Sequence, residues 1–217
     1  MRKEMKMLSK KFYERDTLTV AEELVGKYLI RRYQGQYIVS RITEVEAYIG
    51  AIDKACHAYD GKVTPRTKVL YEQGSTCYVY LIYGMYYCAN VVTEEKGIAS
   101  AVLLRGVDIV EGKELAANLR YDKEWIDLSA YQKKNMSNGP GKLCNALAIT
   151  KADNESSFCS EDLFIVDTWN EHGEIDFEIE KGPRIGIEYA EEATDFLWRF
   201  CLVEKKASKT KNVKKYK

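Results

Sequence analysis

The chain has 217 residues, 46% of them hydrophobic, which is enough to bury a sizeable core and fits a single domain. No stretch approaches the ~20 consecutive apolar residues that a membrane helix needs. The Lys-rich start leads into Phe12 rather than into an apolar signal core, so we expect a cytosolic, non-secreted protein. Basic and acidic residues both total 33, so the net charge gives no sign of a nucleic-acid partner.

The distribution of charge is more informative than its sum. Residues 151–192 hold thirteen acids against three bases, whereas residues 204–217 hold seven lysines against one acid, and residues 1–15 hold six bases against two acids. Basic ends can hold a phosphate backbone, but a terminal Lys run is more often a solvated tail. We therefore expect one domain over residues 1–203 and a disordered tail over residues 204–217.

The cysteines do not suggest a metal or disulfide framework. The six cysteines show no C-x-x-C pairing, and two histidines supply a zinc site poorly. We expect free thiols, buried or half-buried, and the sequence implies no metal or organic cofactor.

Strands outnumber helices among the predicted elements, and hairpin-scale spacings dominate. Residues 18–24 have helical character, with Asp16 or Thr17 as the N-cap and Gly26 near the end. Residues 28–30 and 37–48 are predicted strands joined by a turn at residues 34–36, and further strands are expected at 77–82, 90–93 and 100–104. Helices follow at 111–120 and 141–149, then strands at 163–168 and 175–179, with residues 183–187 extending a sheet after a proline. This pattern predicts an α+β fold, a single compact domain with a curved antiparallel β-sheet and surrounding helices.

The strand at residues 37–48 carries the first candidate site residues. Its alternation places Glu44, Glu46 and Tyr48 on one face. For this pattern alone an exposed polar face is more common than a catalytic site. His57 follows nine residues beyond Tyr48, in a loop or short helix that could fold back beside the strand end, although a lone histidine is more often a structural hydrogen-bonding residue.

Residues 78–87 contain five tyrosines. Tyrosine can stack on a nucleobase while its hydroxyl reaches a phosphate or a water, but it is also simply a good strand residue. Gly84 permits a tight turn that leaves Tyr83 on a protruding tip, the shape of a wedge for a base stack. Arg105 closes a buried apolar run, where it is either a structural salt-bridge partner or a charged donor at the mouth of a site.

Together these blocks resemble a known family. From about residue 18 to about residue 200 the chain resembles the alkyladenine (3-methyladenine) DNA glycosylases, the methylpurine-DNA glycosylase family. The joint spacing of the blocks is far more specific than any one of them. The blocks are Glu46-Ala47-Tyr48, His57, Thr64-Pro65-Arg66, Tyr78-Val79-Tyr80, Tyr83-Gly84-Met85-Tyr86, Asn90, Leu103-Leu104-Arg105, Gly139-Pro140 and Lys142-Leu143-Cys144.

The resemblance implies a role for each matching position. It places the water-activating general base at Glu46 and a second catalytic residue, which helps to hold the water and the flipped nucleotide, at Arg105. It implies that the purine is stacked between Tyr48 on one side and His57 and Tyr80 on the other. It implies that Asn90 is a wall residue that contacts an exocyclic amino group, and that Tyr83 fills the gap left in the duplex. It also implies that a main-chain segment near residues 183–186 completes the water site.

The implied protein is a monofunctional DNA glycosylase of base excision repair. It would flip alkylated purines out of duplex DNA, with deaminated purines such as hypoxanthine as further candidates, and hydrolyse the N-glycosidic bond to leave an abasic site. The implied partner is double-stranded DNA containing a damaged purine. We expect a monomer without an obligate protein partner, associated with the nucleoid if bacterial. The Lys-rich tail departs from the family's usual C-terminal continuation, and the acidic residues around 171–180 should face away from the duplex.

Two other functions fit parts of the pattern. A module that binds extruded or single-stranded bases would also use stacking tyrosines and basic ends, but it has no reason to place a carboxylate, Glu46, near a DNA backbone. A glycosidase acting on sugars or free nucleosides could use Glu44 and Glu46, whose Cα atoms would lie about 7 Å apart as alternate residues of a strand. A small-molecule hydrolase, however, needs no wedge such as Tyr83.

Overall fold

The computed structural model describes residues 6–169 and 175–205. Residues 171–174 of the acidic segment and residues 206–217 of the Lys-rich tail lie outside these ranges. Within them an antiparallel sheet contains β1 (Tyr28–Tyr33), β2 (Gln36–Ile49), β3 (Cys77–Ile82), β4 (Tyr86–Val92), β5 (Ser100–Glu111), β6 (Leu163–Val166), β7 (Phe177–Gly182) and β8 (Arg199–Glu204).

The long strand β2 organises this sheet. The strand order is β3-β4-β5-β2-β1-β6, and a branch runs from β2 to β8 and then β7. Ile42 of β2 pairs with Val107, but Glu44 pairs with Gly106, so the intervening residue forms a bulge. A bulge bends its strand and increases the local twist. It lies between the part of β2 that pairs with β1 and the part that pairs with β8, which is also where Glu44 begins the candidate catalytic segment.

Five short α-helices lie among the described residues. They are α1 (Lys10–Tyr13), α2 (Thr17–Leu24), α3 (Lys113–Tyr121), α4 (Ala130–Lys134) and α5 (Pro140–Ala146). Single 3₁₀ turns lie at Gly50–Ile52, Tyr59–Gly61, Thr67–Tyr71, Trp125–Asp127, Lys151–Asp153 and Glu191–Asp195.

Helices α2 and α5 show why these residues become helical. Asp16 caps α2 by accepting a hydrogen bond from the backbone N–H of Thr19, and Pro140 occupies the first turn of α5, where a missing N–H costs nothing. Helix α5 packs closely on the start of β4, because a Cβ on Gly141 would lie only 2.9 Å from the Cβ of Tyr86.

The main core lies between the sheet and these helices. Fully buried side chains from α2, β5, α5 and the segment before β6 meet there, including those of Leu24, Leu104, Leu143 and Phe158. Fully burying such a side chain contributes about 1.5–3 kcal/mol to the free energy of unfolding. The six cysteines are free thiols, four buried and two half-buried, as expected. No helix of the described part of the chain has the length and apolar character to span a bilayer.

The α+β fold with its curved antiparallel sheet is confirmed, but several boundaries differ from the prediction. Strands β4 and β5 are longer than expected, since β4 begins at Tyr86 and β5 runs on to Glu111. Helix α3 begins two residues later than predicted, and α5 ends at Ala146, three residues early. The predicted strand at 183–187 is wrong: this segment is a loop, because Arg184 turns into the protein interior and bonds to buried groups instead of to a neighbouring strand.

Candidate active site

A cavity of about 350 Å³ opens beside β3, β4 and β5. This volume lies within the range of pockets that enclose small organic ligands. The loop after β2 and the loop after β7 close its sides. Six aromatic rings line it, together with two arginines and an asparagine; these residues are Tyr48, His57, Tyr78, Tyr80, Tyr83, Tyr189, Arg66, Arg105 and Asn90.

Glu46 lies directly behind this wall. Its side chain is 0% exposed and does not itself line the cavity. The Tyr48 hydroxyl donates to Glu46 Oε2 at 2.8 Å, and the backbone N–H of Ile185 donates to Oε1 at 2.8 Å. Arg105 Nε lies 3.3 Å from the same Oε1. The three residues that contact the carboxylate all line the cavity, so Glu46 is separated from it by a single layer of side chains.

Arg105 connects the two acidic residues of β2. Its Nε donates to Glu44 Oε1 at 2.9 Å, and Arg199 Nη1 donates to the same oxygen at 3.2 Å. No described residue accepts a hydrogen bond from the two Nη atoms of Arg105. Arg105 does not close a strand as predicted, because β5 continues past it for six residues beside the bulge in β2. Arg105 is a salt-bridge partner of Glu44 and Glu46, and it also lines the cavity.

The surroundings of Glu46 affect its pKa in two opposite directions. Burial, the larger effect, raises the pKa above its ordinary value, and the nearby Arg105 guanidinium opposes the rise, as do the hydrogen bonds from Ile185 and Tyr48. The carboxylate therefore binds a proton more readily than an exposed one, yet it keeps a cation and two donors that stabilise its ionised form. The polar-face interpretation, which required exposure, is wrong for Glu46.

A buried ion pair supports the Tyr48 side of the cavity. The guanidinium carbon of Arg184 lies 4.7 Å from the centroid of the Tyr48 ring. Its two Nη atoms donate to both carboxylate oxygens of Asp53, at 2.5 and 2.8 Å, and also to the carbonyls of Ala47 and Ala193. Arg184 directly precedes Ile185, so the same loop supports the Tyr48 ring and provides the N–H that binds Glu46.

Another part of the cavity wall is a cluster of aromatic rings that contact one another. His57 Nδ1 lies 2.9 Å from the Tyr78 hydroxyl, and its ring lies 4.7 Å from that of Tyr80. Arg66 stacks over Tyr80 at 4.7 Å and donates to His57 Nε2 at 3.0 Å. Burial and the adjacent Arg66 lower the pKa of His57 to about 4. The imidazole is therefore neutral near pH 7, and it accepts through Nε2, which places its proton on Nδ1.

Asn90 is a buried polar group in the cavity wall. Its Nδ2 donates to the carbonyl of Tyr78 at 3.0 Å, which fixes the orientation of the amide. The Oδ1 atom accepts no hydrogen bond from a described side chain, so it remains able to accept one from a molecule bound in the cavity.

Tyr83 lies at the tip of the β3–β4 hairpin. Tyr83 and Gly84 have φ values of 53° and 70°, and the N–H of Met85 donates to the carbonyl of Ile82, which is the pattern of a type I′ turn. Glycine adopts such a conformation freely, whereas it costs tyrosine about 1 kcal/mol. The Tyr83 side chain is 81% exposed at the rim of the cavity, and no described residue hydrogen-bonds to it.

The structure brings together around one cavity all seven residues that the sequence singled out: Glu46, Tyr48, His57, Tyr80, Tyr83, Asn90 and Arg105. Sequence reasoning gave no role to Arg66, Tyr78, Asp53 or the side chain of Arg184. Arg66 stood in a recognisable block, but nothing local indicated that it would stack on Tyr80. The pairing of Asp53 with Arg184 joins residues 131 positions apart, and no local pattern predicts such a contact.

Comparison with known proteins gives the family of the chain. A family model described as methylpurine-DNA glycosylase (MPG) matches residues 11–206, nearly the whole chain. The chain belongs to this family. Like other DNA glycosylases, a methylpurine-DNA glycosylase hydrolyses N-glycosidic bonds, and this places the protein in base excision repair. The described part of this glycosylase contains no group of three or more His, Cys, Asp or Glu side chains placed to hold a metal ion.

Three bacterial relatives of this glycosylase each carry the name "Putative 3-methyladenine DNA glycosylase". The one from Clostridium perfringens strain SM101 is 52% identical over 200 residues, covering 92% of this chain and 97% of the relative. The one from Alkaliphilus oremlandii is 50% identical, covering 90% and 95%. The one from Desulfitobacterium hafniense strain Y51 is 46% identical, covering 91% and 96%.

Proposed function

We propose that this protein is a monofunctional glycosylase that flips alkylated purines such as 3-methyladenine out of duplex DNA and hydrolyses their N-glycosidic bond with a water activated by Glu46. The product is an abasic site in an unbroken strand. The enzyme class follows from the family, and the names of the relatives support the substrate. The flipping step and the individual residue roles are the parts that we propose.

The assignment of Glu46 as the general base rests on one observation: its carboxylate is buried, and hydrogen bonds occupy only some of its acceptor sites. An ionised carboxylate offers about four lone-pair sites. Tyr48 and Ile185 occupy two with hydrogen bonds, and Arg105 lies near a third. At least one site remains to accept a proton from water, and the free Nη atoms of Arg105 can hold that water or the phosphate of the flipped nucleotide.

The aromatic walls suit a positively charged base. A methylated purine such as 3-methyladenine carries positive charge in DNA, and cations are attracted to the electron-rich faces of rings such as those of Tyr48 and Tyr80. The neutral state of His57 favours the same base, because an imidazolium would repel it. The Oδ1 atom of Asn90 is available to an exocyclic amino group on the purine edge.

The reaction follows from these positions. As the bond between C1′ and the base nitrogen breaks, its electron pair goes to the base, which leaves neutral if it was cationic, and positive charge develops on the sugar. The ionised Glu46 stabilises that charge and takes a proton as the water oxygen bonds to C1′. No protein atom becomes bonded to the sugar, so the strand stays intact.

Neutral purines require an extra proton. Hypoxanthine leaves well only if it is protonated, and His57 in the cavity wall is neutral near pH 7 because its pKa is lowered to about 4, so it does not supply that proton. We therefore expect release of hypoxanthine to be slower than release of a cationic purine.

Extrusion of the nucleotide assigns a role to Tyr83. Removing a base from the stack costs a few kcal/mol, and an apolar wedge in the gap offsets part of this cost. Tyr83 is exposed, aromatic and adjacent to the cavity mouth, so it can enter the duplex as the base leaves it.

Product analysis tests this proposal. Wild-type protein incubated with a duplex that contains 3-methyladenine should release the free base and leave a strand that breaks only on later treatment with alkali. Borohydride should trap no protein–DNA adduct. Release of no modified purine, with binding of the damaged duplex intact, would favour the base-binding module instead.

The glycosidase alternative is less well supported. Glu44, which would have to act with Glu46, does not line the cavity, and its Oε1 is held by both Arg105 and Arg199. Glu46 does not line the cavity either, but the three residues that contact its carboxylate all do, whereas Arg199, one of the two partners of Glu44, does not.

A further inference from the structure

Burial of the Arg184–Asp53 ion pair in the interior of a small protein carries an unfavourable desolvation free energy. The Asp53 side chain is 0% exposed, and Arg184 is 5% exposed. Taking two charges out of water costs several kcal/mol per ion, and an ion pair of this kind often adds no net stability compared with apolar packing. The position of the pair therefore indicates a role other than stability.

Its position is the back of the Tyr48 ring. Tyr48 lines the cavity, whereas Arg184 does not, so the guanidinium lies on the far side of the ring from a bound base. Arg184 is also sandwiched, since the Trp198 ring centroid lies 5.0 Å from its guanidinium carbon. The cation is thus fixed against the face opposite to the one that we propose stacks on the purine.

A lone cation there would work against a cationic purine. The guanidinium lies 4.7 Å from the Tyr48 centroid, and a base stacked at about 3.5 Å on the other face would be about 8 Å from the guanidinium. Two like charges at that distance in a protein of effective dielectric constant ~20 repel enough to weaken binding about tenfold or more.

Asp53 removes that repulsion. Its two oxygens receive hydrogen bonds from both Nη atoms of Arg184, and the backbone N–H groups of Ile49 and Ala55 hold the carboxylate in place. The pair as a whole is neutral, so it can stiffen Tyr48 from behind without repelling a cation in front of it.

We propose that Asp53 and Arg184 are specificity-determining positioning residues: together they form a charge-neutral support behind Tyr48 that permits selection of positively charged purines over neutral ones. This inference depends on the proposed function, because it assumes that the base stacks on Tyr48. It adds a residue pair that touches neither the substrate nor the reacting atoms.

The test compares the affinities of two duplexes that differ only in the charge of one base. One contains 7-methylguanine on a 2′-fluoroarabinose, which resists hydrolysis, and the other contains the neutral isostere 7-methyl-7-deazaguanine on the same sugar. The selectivity is the Kd for the neutral base divided by the Kd for the cationic base. Wild-type protein should show a selectivity well above one.

The variants should change this selectivity in a pattern that damage to the fold cannot mimic. Asp53→Asn leaves an uncompensated guanidinium and should lower the selectivity about tenfold, whereas Asp53→Glu keeps the charge and should retain it. Arg184→Gln should not lower it, and the double variant Asp53→Asn with Arg184→Gln should restore it to within about threefold of wild type. If Asp53→Asn alone does not fold, the double variant and Arg184→Gln carry the test, since both must keep the wild-type selectivity.

Several outcomes would overturn the inference. These are a wild-type selectivity near one, equal loss of affinity for both bases in Asp53→Asn, or a double variant that stays unselective. Failure of the proposed function is distinguishable, because the wild type would then bind neither modified duplex more tightly than unmodified DNA and would release no base.

Discussion

The floor of the cavity, by which we mean the layer around Glu46 directly behind its wall, and the tip of the β3–β4 hairpin are built in opposite ways. Glu46 is completely buried and receives hydrogen bonds from two directions, with an arginine beside it. Tyr83 is 81% exposed in a left-handed conformation, and no described side chain or backbone group hydrogen-bonds to its hydroxyl. Tyr83 nevertheless lines the same cavity that Glu46 lies directly behind.

The difference fits two separate tasks. A group that takes a proton in a transition state must be held in place before the substrate arrives, and burial among fixed donors achieves this. A group that enters a duplex must be free to leave solvent, and it stores some backbone strain at a functional site. We infer that chemistry resides at the floor and duplex opening at the tip.

The largest expected effect comes from the floor. Glu46→Gln should lower the single-turnover rate of base release by about 10²–10⁴-fold, because glutamine cannot accept the proton from water. Affinity for the damaged duplex should change little. The matched control is Glu44→Gln, the same change two residues away on the same face of β2, which should cost less than about tenfold. Equal losses in both variants would remove the distinction between the two carboxylates.

The pH dependence of base release provides a second test of Glu46 as the general base. Protonated Glu46 is inactive as a base, so the rate should fall as the pH falls through its pKa, and that acid limb should lie above the ordinary value of 4.5 because burial raises the pKa. Arg105→Gln removes the opposing cation and should shift the limb upward by about 1–3 pH units. Arg105→Lys keeps a charge and should shift it less. An acid limb unmoved by Arg105→Gln would contradict the coupling of these two groups.

A smaller effect is expected at the hairpin tip. Tyr83→Ala should slow release from duplex DNA about tenfold, in line with the ~1–3 kcal/mol that one base–aromatic stack contributes. The melting temperature of the protein should not change, because the side chain is exposed. Met85→Ala, a change at a residue of similar exposure in the same turn, serves as the control. A loss of the same size on single-stranded substrate would argue against a wedge.

Protonation of His57 should have the smallest effect on activity at neutral pH. Its effect should appear instead in the pH dependence of the free energy of unfolding. Its pKa is lowered to about 4 in the folded protein, so between pH 6.5 and 4 the unfolded chain binds a proton that the folded chain does not. The free energy of unfolding should therefore fall on acidification, with at most about 2 kcal/mol between pH 7 and pH 5 due to this group. Urea titrations of the wild type and of His57→Phe should differ in this slope, and identical slopes would contradict the lowered pKa.

The sequence predicted the local features well. Alternation along β2 placed Glu44, Glu46 and Tyr48 on one face, and both carboxylates and the phenol do meet around Arg105 and the cavity wall. The Tyr83-Gly84 pair predicted a tight turn with an exposed tyrosine, and a type I′ turn is found. These features depend on neighbours along one strand or one turn, which a sequence displays directly.

What the sequence could not supply depends on contacts between distant segments. The bulge in β2 and the extension of β5 past Arg105 follow from pairing between two strands about sixty residues apart. The loop at residues 183–187 carries the β-branched residues of a strand, but the buried ion pair of Arg184 with Asp53 prevents sheet pairing there. Burial of Glu46 likewise results from packing of that loop over β2, and no pattern within β2 indicates it.

The separate roles of the floor in bond cleavage and of the tip in duplex opening are tested most directly by measuring extrusion and cleavage independently. A fluorescent base beside the lesion reports extrusion in a stopped-flow experiment, and rapid quenching of the same duplex reports release. Glu46→Gln should extrude the damaged nucleotide at the wild-type rate and release almost none of it, whereas Tyr83→Ala should extrude slowly and release each extruded base at the wild-type rate. Two results would contradict these separate roles: Glu46→Gln slows extrusion as much as release, or Tyr83→Ala slows release of a base that is already extruded.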